Sequence, residues 1–241
     1  MTSSFVIAES GVNFNNFSEA QKLVEMASFV GANAIKFQTF WDIGEQLKKY
    51  ELIKEQWVEL RNLCDSYAIE FMSTPHWGSP LTFYKDEDFE VIDFVDSLVK
   101  RHKIASPYLT NKKYVKYVAS KNKPIYLSTG SITREDGMAT MAEIKTALSW
   151  LKDSDVVLLH CVSKYPPENP HYERILKLKK LGKPVGLSDH SINKMIQCWP
   201  VVEKHFKLND NCIDSNISLN PNDFREMVRN IRNYSLAFNK I

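Results

Sequence analysis

Eight short apolar, β-prone runs recur along the chain, and each ends in polar or charged side chains. They cover residues 4–8, 33–35, 70–72, 102–105, 124–127, 156–159, 184–187 and 200–202. At their ends stand, in order, Glu9; Lys36 and Gln38; Ser73 and Thr74; Lys103 and Ser106; Ser128 and Thr129; His160; Ser188, Asp189 and His190; and Glu203, Lys204 and His205. Helical periodicity fills most of the gaps and predicts helices over 18–30, 54–67, 89–99, 111–120, 141–152, 170–180 and 221–238. In the first of these, Ala20, Leu23, Val24, Met26 and Ala27 share one apolar face, Ser18 suits the N-cap and Gly31 the C-terminal stop. Strands alternating with helices imply parallel strands joined by crossovers. Eight such units predict an α/β fold, a (β/α)8 TIM barrel, in which strand ends far apart in sequence meet at one mouth.

The 241 residues suit one barrel, so 1–241 is read as a single domain. Two stretches break the rhythm. Residues 76–88, with Gly78 and Pro80, read as an insertion after the third strand. Only fifteen positions carry the chain from His190 to His205, which predicts a shortened seventh helix.

A hydrophobic content of 44% with 25% charged residues excludes a disordered or fibrous chain. A net charge of +2 argues against nucleic acid as a partner. Cys64, Cys161, Cys198 and Cys212 form no CxxC pair and no zinc spacing, as expected of reduced thiols in a cytoplasm. No secretory leader pattern and no run of about 18 apolar residues is found, so a cytoplasmic protein without a membrane partner is expected.

Lys36 and Lys103 end different strands, and a lysine directed into a barrel is costly unless an anion pairs with it. The anion is either a substrate or a structural partner, Glu9 or Glu203. Thr74, Ser106, Ser128 and Ser188 offer hydroxyls at equivalent strand ends and, with the two lysines, make a phosphate cradle. Taken singly, each is an ordinary turn or cap residue. His190 and His205 follow successive strands, beside Asp189 and Glu203, and suit one divalent metal ion, manganese first, with zinc, cobalt or iron as other choices. His160 either faces the same mouth or packs within its strand. His76, His102 and His171 receive no role.

The strings IAESGVN (7–13), GANAIKFQTF (31–40), FMSTP (71–75), KIAS (103–106) and PIYLSTG (124–130) occur in this order. LLHCVSKYP (158–166), GLSDHS (186–191), EKHF (203–206) and DSNISLNP (214–221) follow. Together they resemble the sialic acid synthase family along nearly the whole chain. Members of that family condense phosphoenolpyruvate with an amino sugar to give a 3-deoxy-2-keto sugar acid and phosphate. The resemblance implies phosphoenolpyruvate and a sugar aldehyde as partners. It assigns Lys36, Thr74, Lys103, Ser106, Ser128 and Ser188 to phosphoenolpyruvate, His190 and His205 to the metal, and Glu9, Gln38, Tyr165 and Asp214 to the sugar.

The chain departs from the family in several places. After KIAS the family has Gly and then Asp or Glu, whereas Pro107 and Tyr108 stand here. A phenol with an ordinary pKa near ~10 is a poor base at neutral pH, so either another group such as Glu9 substitutes or the activity is lost or altered. Phe14 falls in a segment where the family has a glycine-rich pattern, and repacking of the wall is expected. The loop from Trp41 toward Lys54 is short. The family's C-terminal antifreeze-like domain is not found before Ile241, so sugar recognition is expected to be incomplete, supplied by a separate partner protein, or different in kind, and the homodimer that family members often form is expected to lack the part that commonly crosses between subunits. The competing expectation is a non-catalytic barrel that binds phosphoenolpyruvate or sugar as a regulatory or assembly subunit.

Overall fold

The computed structural model describes residues 4–40, 48–76, 89–194, 196 and 199–238. Strands β1 (Phe5–Gly11), β2 (Ala34–Thr39), β3 (Glu70–Pro75), β4 (His102–Ile104), β5 (Ile125–Ser128), β6 (Val156–His160), β7 (Val185–Asp189) and β8 (Val201–His205) form one parallel sheet in the order β3-β2-β1-β8-β7-β6-β5-β4. Helices α1 (Phe17–Phe29), α2 (Lys54–Ser66), α3 (Glu90–Leu98), α4 (Lys112–Ala119), α5 (Met141–Trp150) and α6 (Arg174–Lys179) follow the first six strands, and α7 (Pro221–Phe238) follows β8. This is the expected (β/α)8 barrel, nearly closed. Between β7 and β8 no helix is found among the described residues. The segments 41–47 and 77–88, which hold most of the short loop and of the insertion inferred above, lie outside the described residues.

Side chains of a strand alternate between its two faces, and the core follows that alternation. Ile7, Ala34, Met72, Tyr126, Leu159 and Val201 cluster inside the barrel. Their sequence neighbours Val6, Ala8, Ile35, Phe71 and Val202 pack outward against α1, α2 and α7. Ile104, Ile125, Leu127 and Leu158 do the same against α4 and α5. Gly186 is required within this packing, because a Cβ there would lie 2.5 Å from the Val201 carbonyl oxygen. Counting by two upward from the inner apolar layer leads to Glu9, Lys36, Thr74, Ser128, Cys161, Ser188 and Glu203, so one parity rule fills the barrel floor and arms its mouth.

The helices are set by local chemistry. Asn16, not Ser18, caps α1, its side chain accepting from the Glu19 amide at 3.0 Å. Ser18 already lies within the first turn. Gly31 follows α1 at φ +86, the left-handed conformation for which glycine was expected. Thr140 and Glu143 form a reciprocal capping box at α5. Helix α6 starts at Arg174 and not at residue 170, since His171 adopts φ +50 and the chain turns before it can wind. Phe14 is fully buried and meets Phe37 and Tyr50 edge to face, with centroids at 6.1 and 6.3 Å. It repacks the wall, as expected.

Strands β3 and β4 share no ladder among the described residues. Side chains join them instead. Arg101, just before β4, grips Glu70 with Nε to Oε1 at 2.6 Å and Nη2 to Oε2 at 2.9 Å. Higher up, Tyr114 donates to the Pro75 carbonyl at 3.1 Å, and Tyr108 meets His76.

Candidate active site

The upper inner layer surrounds a cavity of about 510 Å³ at the C-terminal ends of the strands. Glu9, Lys36, Gln38, Thr74, Lys103, Ser106, Ser128, Tyr165, Ser188, His190, His205 and Asp214 all line it. Every residue singled out from the sequence as catalytic, substrate-binding or metal-binding is therefore brought to one space.

Its centre is a chain of buried charges. Lys36 Nζ pairs with Glu9 Oε2, lies 3.8 Å from Glu203 Oε2 and donates to Thr74 Oγ1 at 3.2 Å. Lys103 Nζ donates to Glu203 Oε1 at 2.5 Å, and Ser188 Oγ donates to the same oxygen at 2.7 Å. The structural partners considered for the lysines are thus real, and they sit within the cavity wall. Glu9 faces Lys36 because the two are register partners across β1 and β2, and it is the register partner of His205 across β1 and β8.

The two glutamates have opposite electrostatics. Burial works against ionised Glu203, but Lys103 and Lys36 outweigh it and hold the carboxyl well below the usual range. At Glu9 burial prevails over Lys36, Glu203 adds repulsion, and the carboxyl is raised. Paired carboxyls with pKa values driven apart suit acid and base roles. Lys103 is lowered by burial, with Lys36 adding repulsion.

A second cluster gathers at Gly11, where the chain bulges with φ +55. A Cβ built there would meet Glu9 Oε1 at 3.3 Å, Gln38 Nε2 at 3.5 Å and Asp214 Oδ2 at 3.6 Å. Three of the four residues assigned to the sugar therefore share one corner. Tyr165, the fourth, stacks on His190 at 4.3 Å.

The imidazoles of His190 and His205 have centroids 5.2 Å apart. His190 Nδ1 donates to the Val162 carbonyl at 2.8 Å, so in the neutral ring Nε2 carries the lone pair. His205 Nδ1 lies 3.4 Å from Asp214 Oδ2. These two rings are the pair that the sequence reading offers to a divalent cation; among the described residues no group of three or more His, Cys, Asp or Glu side chains suited to a metal is found.

The parity of the strands corrects the reading of Asp189 and, of the two alternatives for His160, favours the packed one. Asp189 does not stand beside the histidines in the mouth: it faces outward and pairs with fully buried Lys204 at 2.6 Å, while accepting from Tyr172 and Ser191. His160 also faces outward, its Nε2 bonded to the Pro170 carbonyl at 2.8 Å. Conversely, His76 and Cys161 line the cavity although neither was singled out. Each lies two residues beyond an inward-facing residue, Thr74 or Leu159, which is the signal that finds them. Cys161 touches Ser106 Oγ at 3.5 Å and His190 Nδ1 at 3.9 Å. Burial raises its thiol, but His190, Ser106 and Lys103 bring it down to about 7.

Polar groups converging at the C-terminal face of a (β/α)8 barrel define a barrel enzyme. Residues 41–241 match the NeuB family, and the chain belongs to that family. It is 33% identical to the N,N'-diacetyllegionaminic acid synthase of Legionella pneumophila, with 95% of this chain and 71% of that protein covered. The protein of the same name from Campylobacter jejuni is 32% identical over 98% of this chain and 78% of its own length. Among solved structures, the N-acetylneuraminic acid (sialic acid) synthetase of Leptospira borgpetersenii in complex with citrate superposes with a TM-score of 0.85 at 26% identity, covering 98% of this chain and 85% of that one. This chain is accordingly an enzyme of sugar acid biosynthesis and not the non-catalytic barrel of the competing expectation. No helix among the described residues is long and apolar enough to cross a membrane.

Proposed function

We propose that the protein condenses phosphoenolpyruvate with an amino sugar aldehyde, giving a sialic acid-like 3-deoxy-2-keto sugar acid and phosphate. The observation that carries this reading is the gathering of Lys36, Lys103 and four hydroxyls around the same cavity as the Glu9, Gln38 and Asp214 corner. An enol phosphate with its carboxylate suits the first group, and a polyhydroxylated acceptor suits the second.

In this reading Lys36, Lys103, Thr74, Ser106, Ser128 and Ser188 hold phosphoenolpyruvate, the lysines turning from their glutamates toward phosphate and carboxylate. Glu9, Gln38, Tyr165 and Asp214 hold the sugar so that its aldehyde carbon faces the enol carbon. The new carbon–carbon bond forms between these two atoms, and the aldehyde oxygen takes a proton from Glu9, whose raised carboxyl suits an acid. The phosphate-bearing carbon is left electron-poor. Water adds to it and gives its proton to Glu203, whose carboxylate is released to act as the base when the lysines turn to the substrate. The hydroxyl so formed gives its proton to Glu9 as the ketone forms and the carbon–oxygen bond to phosphate breaks; Glu203 passes its proton to the departing phosphate, which Lys36 and Lys103 stabilise.

The imidazoles fit a divalent cation, manganese in our reading: the Val162 carbonyl accepts from His190 Nδ1, which orients that ring as for a metal ligand, and the Asp214 carboxylate lies 3.4 Å from His205 Nδ1. Bound by His190 and His205, such an ion would supply Lewis-acid polarisation of the aldehyde.

The test is phosphate release from phosphoenolpyruvate with manganese across aldehydes from glyceraldehyde to N-acetylmannosamine and its deoxy relatives. Release with an amino sugar is expected. Binding of phosphoenolpyruvate without release on any aldehyde would sink the synthase reading. For the metal, His205→Ala is expected to abolish manganese binding in a calorimetric titration, and unchanged binding removes the assignment.

A further inference from the structure

Asp214, which shares the sugar corner with Glu9 and Gln38, sits on no regular element. Residues 207–218 form neither helix nor strand, and a bridge between Phe206 and Leu219 closes the segment at its base. A carboxylate on such a segment can orient a substrate only if the backbone that carries it is fixed. Asn13, the last residue of the IAESGVN string, supplies that fixing. Its Oδ1 accepts from the Asp214 amide at 3.1 Å, and its Nδ2 donates to Ser218 Oγ at 2.9 Å and to the Phe206 carbonyl at 3.0 Å. Ser218 Oγ in turn donates to the Asp214 carbonyl at 2.7 Å. The bonds run in a ring through Asp214, Asn13 and Ser218 and hold the Asp214 backbone at both its amide and its carbonyl. From the other side, the Asn13 amide donates to the Ser10 carbonyl at 2.8 Å, across the bulge at Gly11. One residue thus ties together the end of β1, the end of β8 and the segment that carries Asp214.

The partners dictate the residue type. The Phe206 carbonyl can only accept and the Asp214 amide can only donate, so position 13 must present a donor and an acceptor side by side, as a primary amide does. Aspartate there would set an oxygen against the Phe206 carbonyl. An apolar residue would leave groups in a buried place unpaired, since Asn13 is only 3% exposed. Asn13 does not line the cavity, whereas the Asp214 carboxylate does, with Oδ2 3.4 Å from His205 Nδ1.

We infer that Asn13 is a positioning residue for the acceptor: it touches no substrate and acts by holding Asp214 where its carboxylate meets the sugar hydroxyls. The inference rests on the proposed condensation and on the part that Asp214 plays in it.

Steady-state phosphate release tests this, with the aldehyde that supports the fastest release varied at saturating phosphoenolpyruvate. The proteins compared are the wild type, Asn13→Ala, Ser218→Ala and the same two substitutions in an Asp214→Ala background. Asn13→Ala is expected to lower kcat/KM for the aldehyde about 10-fold, through KM, while calorimetric affinity for phosphoenolpyruvate stays within about 2-fold of wild type. With Asp214→Ala already in place the same substitution should change kcat/KM by less than about 2-fold, because no carboxylate is left to position. Ser218→Ala removes one link of the ring and serves if Asn13→Ala does not fold; its expected loss is about 3-fold, again absent beside Asp214→Ala. A loss that persists undiminished in the Asp214→Ala background, or an equal weakening of phosphoenolpyruvate binding, makes Asn13 a merely structural residue and overturns the inference. Wild-type KM in both single variants overturns it as well and leaves the synthase reading intact. Absence of phosphate release by the wild type on every aldehyde overturns both.

Discussion

Both ends of the barrel interior hold paired charge, partly buried at the foot and buried at the mouth, and they treat it differently. At the foot, Arg101 meets both oxygens of Glu70 and donates to the Tyr126 hydroxyl at 2.7 Å, with its guanidinium over the Phe5 ring at 4.6 Å. At the mouth, Glu9 Oε1 and Glu203 Oε2 are buried with no hydrogen-bond partner among the described residues. A buried polar atom left unmatched costs free energy that folding alone gives no reason to spend. The comparison separates a charge cluster that closes on itself and holds strands together from one that is complete only with a ligand.

Three substitutions sharpen or break that distinction. Lys103→Met is expected to have the largest effect, lowering kcat/KM for phosphate release by about 10³-fold, in the range for loss of a donor that stabilises developing negative charge. Activity within tenfold of wild type would erase the contrast between the two ends. Arg101→Ala should act the other way. Breaking the partly buried pair with Glu70 costs about 2–3 kcal/mol and lowers Tm by roughly 5–10 °C, while kcat/KM per folded molecule stays near wild type; thermal denaturation beside steady-state kinetics reads both.

The smallest effect concerns Glu9. Because burial raises its carboxyl in the folded state, the stability tied to Glu9 is full below the unfolded carboxylate pKa and is lost as pH rises through the folded value. Glu203, depressed by its lysines, has the opposite sign, with its contribution present above the unfolded pKa and lost on acidification. Above that folded value ionised Glu9 therefore weighs against the fold. Glu9→Gln, a mimic of the protonated form, should raise Tm by about 2 °C while phosphate release falls. A lower Tm would show that Glu9, like Glu70, is there to hold strands together.

The sequence exposed the strands because each is a short apolar run with a polar end, and it exposed the site because eight such ends share one mouth. Parity was harder to read. Asp189 and Ser188 are adjacent, yet one pairs with Lys204 outside the barrel and the other with Glu203 inside it. A run whose first residue is uncertain by one position leaves its faces interchangeable. His76 and Cys161 escaped for the same reason, since each lies just beyond the apolar run and only the inward count reaches it. Asn16 displaced Ser18 as cap because both residue types serve there and composition cannot choose between neighbours.

The β3/β4 junction carries a consequence of another kind. The other neighbouring strands are joined by backbone ladders, which every amino acid except proline can form and which substitution alters little. Here the join is made by Arg101, Glu70, Tyr114, Tyr108 and His76, and each can be exchanged by a single codon change. This line of the barrel is therefore the one that evolution can retune most freely. His76, which faces the anion cradle from that line, links the retuning of the wall to the retuning of the chemistry.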